Sequence, residues 1–306
     1  MIAMPTIIPT IMPMLLNGEI MVGTVIKSIG GLYTVRSFDS ILECKARGVF
    51  RKENVSPVVG DSVEVSNGVI SKILPRKNFI VRPPLANLDA MVFVVSTTKP
   101  SPNLTMLDKF IAVCEYKNIT PMVAITKIDL ADYNKVSTIY NSIGVKVFTI
   151  DYSQPQSYLA LKDILSNKIS AFTGNSGAGK STLLNAIDSS LNLPTGEISE
   201  KLGRGRHTTR HVELYQLDNN ALIADTAGFS TFETNRYDII KKENLAHCFR
   251  EFIPYLGKCR FNDCSHTKEK GCAIIEAVQS GDIPKSRHSS YCEMFENAKL
   301  IKDWEL

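Results

Sequence analysis

Eight residues near the middle of the chain restrict its fold more than any others: Gly174-Asn175-Ser176-Gly177-Ala178-Gly179-Lys180-Ser181. They fit GxxxxGK[ST], a turn whose backbone N–H groups point inward around phosphate. Such a match carries weight only after a strand and before a helix. The chain supplies both flanks, a short apolar run at 169–173 and helical spacing over Lys180–Ile187. The same alternation continues on either side. Residues 90–96, 122–125, 145–150, 212–217 and 221–224 read as strands, and 104–116 and 157–165 as helices, the first with Leu104, Leu107, Ile111 and Cys114 on one face. Alternating strands and helices predict an α/β domain with a parallel sheet covered on both faces.

Three loops at strand ends carry the chemistry. In the first, glycine freedom and the partial positive charge of the helix N-terminus suit a polyphosphate. Lys180 would reach the β- and γ-phosphates and the Ser181 hydroxyl would bind Mg²⁺, with Thr182 beside it in the same nucleotide-binding set. In the second, Asp225-Thr226-Ala227-Gly228 follows a predicted strand. Asp225 suits the other Mg²⁺ contact and the Gly228 N–H suits the γ-phosphate. Asp-x-x-Gly alone is weak, because turns use those residues constantly; the P-loop gives it meaning.

The third loop, Thr126-Lys127-Ile128-Asp129, is similar to the Asn-Lys-x-Asp base reader of GTPases, with threonine in the first place. The Asp129 carboxylate can accept from guanine N1–H and N2–H₂. Adenine lacks that donor pair and would leave the carboxylate unpaired, so Asp129 is expected to set GTP over ATP. The Lys127 stem would lie along the base. In chain order this loop precedes the P-loop, the reverse of Ras-like GTPases. All three loops belong at the C-terminal edge of one sheet, where α/β folds bind ligands, so a circular permutation would conserve the site.

Residues 201–210, Lys-Leu-Gly-Arg-Gly-Arg-His-Thr-Thr-Arg, lie between the P-loop and Asp225. Thr208 or Thr209 is expected to complete Mg²⁺ coordination there. Phe229 and Ser230 follow Gly228, so no glutamine stands where Ras-like enzymes orient water. His207 is the local candidate for that catalytic role, and slow unaided turnover is expected.

Cys259-x₄-Cys264-x-His266-x₅-Cys272 gathers three thiols and an imidazole, which suits a closed tetrahedral structural Zn²⁺ site, one per chain. Cys44, Cys114, Cys248 and Cys292 are scattered and read as packing residues. Seven cysteines without a secretory signal favour reduced thiols, and hence the cytoplasm. No run reaches the roughly 18 apolar residues of a membrane span. The formal charge of +4 excludes a basic arm, so nucleic acid would have to meet a local patch.

At the other end, 19–29, 32–38, 40–47, 62–66 and 69–74 read as five short strands, with Asn67-Gly68 predicting a type I′ hairpin. Five strands in so short a span suggest a small barrel of OB type. The predicted organisation is a tail at 1–18, with Met14 and Met21 as alternative starts, then an OB-fold barrel at 19–75. A linker at 76–86, a circularly permuted P-loop GTPase domain at 87–231 and a small helical zinc-binding domain at 232–306 follow.

Together the barrel, Thr-Lys-Ile-Asp before GNSGAGKS, GRGRHTTR, DTAG and the cysteine tail resemble the ribosome small-subunit-dependent GTPase A family, RsgA or YjeQ, over about residues 19 to 300. Ala227 stands where that family usually has proline. The resemblance implies GTP hydrolysis to GDP and phosphate, stimulated by the small ribosomal subunit late in its maturation. It also implies ribosomal RNA contacts through the barrel and zinc domain, and zinc ligation by Cys259, Cys264, His266 and Cys272. A monomer is expected, without membrane contact. The competing readings are a P-loop ATPase or kinase of small-molecule metabolism, and a non-catalytic RNA-binding module.

Overall fold

The computed structural model describes residues 20–38, 40–52, 55–195, 212–226 and 239–301. The first part is a closed five-stranded barrel in the order β1 (Met21–Ile29), β2 (Leu32–Ser37), β3 (Ser40–Ala46), β5 (Val69–Ile73), β4 (Ser62–Ser66). Alternation explains it: Val25, Val35, Val63, Val65 and Ile70 point inward and pack with Tyr33, Cys44 and Phe50. Asn67 and Gly68 have φ of 50° and 70°, the positive pair that a type I′ turn requires, and Ser66 pairs with Val69 across it.

Residues 76–86, expected as a linker, are folded. They contain a two-stranded ribbon, β6 (Phe79–Ile80) with β7 (Leu85–Ala86). Arg76 forks onto the buried Asp61 at 2.7 and 2.8 Å, and the Asn78 amide bonds both backbone groups of Leu88. Arg76 and Asn78 find these partners outside the segment, while Phe79–Ile80 and Leu85–Ala86 pair within it.

The second part is a six-stranded sheet ordered β10 (Lys146–Thr149), β9 (Thr120–Thr126), β8 (Ala90–Ser96), β11 (Ile169–Gly174), β13 (Leu222–Asp225), β12 (Leu214–Gln216). All neighbours are parallel except the β12–β13 pair. Both faces of central β8 are covered. Met91, Phe93 and Val95 pack toward α1 (Leu104–Tyr116) and α2 (Asn134–Ser142), the latter absent from the sequence reading. Val92 and Val94 pack toward α3 (Gln156–Ile164) and α4 (Lys180–Ile187). The barrel covers the sheet's outer edge: Lys27 of β1 bridges backbone to backbone with Glu213, and their side chains pair at 3.0 Å.

The last part holds α5 (Ala273–Ser280) and α6 (Lys285–Lys299) over an aromatic core of Phe249, Phe252, Tyr291 and Phe295. It docks on α1, whose Ala112 and Val113 belong to the same core. At the contact, Arg287 is fully buried between Asp108 (2.8 Å) and Glu251 (2.7 Å). Tyr140 and Ser290 donate to the same Asp108 carboxylate.

Candidate nucleotide and metal sites

The topology concentrates the predicted loops. From β8 the chain winds outward through β9 to β10, then returns to β11 on the opposite side of β8. Loops leaving β8 and β11 therefore diverge at a crevice, the usual ligand position in such sheets. The P-loop leaves β11, the Thr126–Asp129 loop leaves β9 and the Asp225 loop leaves β13, all at one edge.

Gly174 sits against Val94 of β8, where a Cβ would lie 2.4 Å from the Val94 carbonyl oxygen. Only glycine fits there. Asn175 is half-buried, Ser176 and Gly177 are exposed, and Ala178 is buried with its N–H on the Asn175 carbonyl at 3.0 Å. Gly179 takes φ of 90° as the residue capping α4, which aims the first turn of the helix into the loop. Lys180 and Ser181 are half-buried at the mouth and Thr182 is exposed behind them. The Lys180 ammonium bonds the Asp225 carboxylate and the Thr226 carbonyl. Thr226 in turn donates its hydroxyl to Phe172 O at 2.8 Å, so the end of β13 is held against β11.

The base-reading loop is tied to the P-loop. Thr126, fully buried, donates its hydroxyl to the Ala178 carbonyl at 2.6 Å. Lys127 has φ of 55° and directs its ammonium to Lys99 O at 2.6 Å. The turn closes through Leu130 N–H to Lys127 O at 3.0 Å, leaving Asp129 exposed to solvent at the edge. The sequence reading missed Thr97 and Lys99. Both belong to the loop after β8, which carries no motif.

His207, Thr208, Thr209 and Gly228 lie outside the described residues, as do Ala227, Phe229 and Ser230.

The second site stands apart. The ligand atoms of Cys259, Cys264, His266 and Cys272 all lie within 4.8 Å of one another, so this group could hold a metal ion. The His266 Nδ1 is 3.5 Å from both Cys259 Sγ and Cys272 Sγ, and those two sulfurs are 3.8 Å apart. Surrounding groups fix the knuckle. Arg260 N–H bonds Gly271 O at 2.9 Å, Tyr291 OH bonds Ser265 O at 2.9 Å, and His288 Nε2 donates to His266 O at 2.7 Å. Burial opposes the charged Glu269 carboxylate. Bonds from the Ser265 hydroxyl and nearby backbone N–H groups nevertheless bring its pKa down to about 2. Burial also lowers the His266 pKa, which favours the neutral imidazole that metals bind.

A P-loop, a Lys-x-Asp loop and a strand-end aspartate on one sheet edge, with the base-side strands first in the chain, define a circularly permuted P-loop nucleotide-binding domain. Comparison with known proteins agrees. Residues 73–235 match the RsgA GTPase domain and residues 22–69 the RsgA N-terminal domain. The small ribosomal subunit biogenesis GTPase RsgA of Caldanaerobacter subterraneus subsp. tengcongensis is 44% identical over 285 residues, covering 90% of this chain and 95% of that protein. The protein of the same name from Clostridium perfringens is 41% identical over 283 residues, covering 90% of this chain and 97% of its own length. Among solved structures, YjeQ from Thermotoga maritima superposes with a TM-score of 0.77 at 31% identity, covering 93% of this chain and all of that one. YloQ, described as a circularly permuted GTPase, gives 0.76 at 31% identity, covering 94% and 98%. The chain belongs to the RsgA GTPase family.

Among the described residues no helix is long and apolar enough to cross a membrane.

Proposed function

We propose that this chain hydrolyses GTP to GDP and phosphate in step with small ribosomal subunit biogenesis, and that the subunit and its RNA stimulate the reaction. The observation that carries the nucleotide reading is the Thr126–Ala178 bond, which joins a Lys-x-Asp loop to a P-loop. The relatives' names carry the ribosomal half.

In this reading Asp129 accepts from the guanine edge and Lys127 covers the base. Backbone N–H groups of the 174–181 loop other than that of Ala178, together with the Lys180 ammonium, bind the phosphates. Lys180 leaves its carboxylate partner as it does so, which frees Asp225, with Ser181 and Thr208 or Thr209, for Mg²⁺. The metal supplies charge neutralisation at the β- and γ-phosphates. Gly228 offers its N–H to the γ-phosphate and His207 orients the attacking water.

Zn²⁺ is the ion proposed for the cysteine knuckle. Bonds of about 2.3 Å to sulfur and about 2.05 Å to nitrogen put tetrahedral edges at about 3.8 Å (S–S) and about 3.6 Å (S–N). The three separations among Cys259, Cys272 and His266, 3.8 and 3.5 Å, match that frame, and all four donors lie within 4.8 Å of one another. Four protein donors leave no position for water, so its role is structural.

Phosphate release from GTP is measured with and without purified small subunits. Stimulation is expected. Its absence, with basal turnover intact, would remove the ribosomal reading and leave the GTPase. His207→Ala is run beside it, and unchanged stimulated turnover would take His207 out of the mechanism.

A further inference from the structure

We propose that Thr97 is a positioning residue for guanine recognition, bracing the base-reading loop alongside the P-loop. This rests on the reading of Thr126–Asp129 as the base reader. The Thr97 hydroxyl donates to the Lys127 carbonyl at 2.6 Å, and its N–H donates to the Thr126 carbonyl at 3.2 Å. Two residues on, the Lys99 carbonyl receives the Lys127 ammonium.

Lys127 needs such a brace. Its φ of 55° is left-handed, a conformation that is uncommon and costly for a lysine. Peptide 126–127 is gripped at three points: Thr126 Oγ1 on the P-loop carbonyl of Ala178, Thr97 N–H on Thr126 O, and Thr97 Oγ1 on Lys127 O. Asp129 hangs two residues beyond. The position of the Asp129 carboxylate toward a base is therefore inherited from a backbone that the P-loop and the 97–99 loop both hold. A planar two-donor edge tolerates displacement of only about 0.5 Å. Freeing the Lys127 carbonyl weakens grip on the base and leaves grip on the phosphates alone.

That separation makes the test. Dissociation constants for GDP, a guanine ligand, and for inorganic triphosphate, which the P-loop alone holds, are measured on the full chain for Thr97→Val, Thr97→Ser and Asp129→Asn. Valine keeps the shape and removes the hydroxyl. The expected result is GDP binding weakened about 3- to 10-fold, triphosphate binding unchanged, and serine restoring the parent value. In turnover the loss falls on KM more than on kcat. Should the valine variant fail to fold, Thr97→Ala goes through the same comparison. Equal weakening of both ligands, or GDP affinity untouched while Asp129→Asn abolishes guanine preference, overturns the brace. Guanine preference surviving in Asp129→Asn overturns the base-reader reading itself, and the brace with it.

Discussion

Arg287→Met tests how the C-terminal region is fastened to the nucleotide domain. Arg287 and Asp108 lie 179 residues apart in sequence and meet at 2.8 Å, both within 1% of complete burial. The guanidinium also holds Glu251 at 2.7 Å and lies 4.5 Å from the centroid of the Phe249 ring. Burial alone would lower its pKa; Glu251 and Asp108 together raise it, so the charge persists at every working pH. Methionine keeps most of the apolar stem and removes the cation. Asp108 retains its bonds from Tyr140 at 2.9 Å and Ser290 at 2.6 Å, but neither donor carries a compensating charge, and Glu251 is stripped further. Breaking one partner out of a buried ionic cluster costs about 3–5 kcal/mol. With a urea dependence of about 2 kcal/mol per molar, that is a fall of about 2 M in the unfolding midpoint. Urea unfolding at pH 7 followed by circular dichroism reads it. The triple variant Asp108→Asn, Glu251→Gln, Arg287→Met removes all three charges and should recover at least half of the loss, because buried charge without a partner is the source of the cost. A single variant within about 1 kcal/mol of the parent, well under the expected cost, would refute the reasoning.

Asp129→Asn should lose GTP and gain xanthosine triphosphate, whose 2-oxo group offers an acceptor to the asparagine amide; competition binding reads it, and retained GTP preference would sink the assignment. Chelation should release one zinc per chain, unfold the C-terminal region and expose three thiols to alkylation. Unchanged alkylation after chelation would count against a metal-bound knuckle. The packing thiols should resist alkylation in the native protein. Burial pushes Cys44 up to about 11 and Cys248 up to about 12, so at pH 8 their thiolate fractions are only about one in 10³ and one in 10⁴. Because those pKa values are raised on folding, their contribution to stability is complete below about pH 8.5 and falls away as pH climbs toward 11 and 12. A melting temperature that rose over that window would contradict it. Gly174→Ala places a Cβ 2.4 Å from the Val94 carbonyl and should part β11 from β8 at the P-loop, abolishing nucleotide binding; measurable GDP affinity would refute the close approach.

Much of the nucleotide site was legible in the chain because its chemistry is written over short spans. The P-loop needs glycines at fixed offsets, and Gly174 and Gly179 stand where backbone approach and a positive φ require them. A closed metal site needs four thiolate or imidazole donors close in sequence, and Cys259, Cys264, His266 and Cys272 converge as their spacing implies. Asn67-Gly68 sets its own turn.

What stayed hidden depends on partners far away along the chain. Residues 76–86 read as a linker from their prolines and the basic Arg76, Lys77 and Arg82, yet Arg76 and Asn78 help fold it by bonding Asp61 and Leu88. The helix at Asn134–Ser142 does carry Val136, Ile139 and Tyr140 at helical spacing, a signal the sequence reading passed over, and it packs Val136 and Tyr140 under the sheet. Thr97 is an unremarked residue after a strand until β8 and β9 pair in parallel and bring Ser96 opposite Thr126. Sequence alone marked the candidate phosphate and metal cradles, since each is built from neighbours in the chain. Tertiary structure decided how firmly the cradles face one another, because a buried hydroxyl or guanidinium acquires its meaning only from the distant carbonyl or carboxylate that the fold sets beside it.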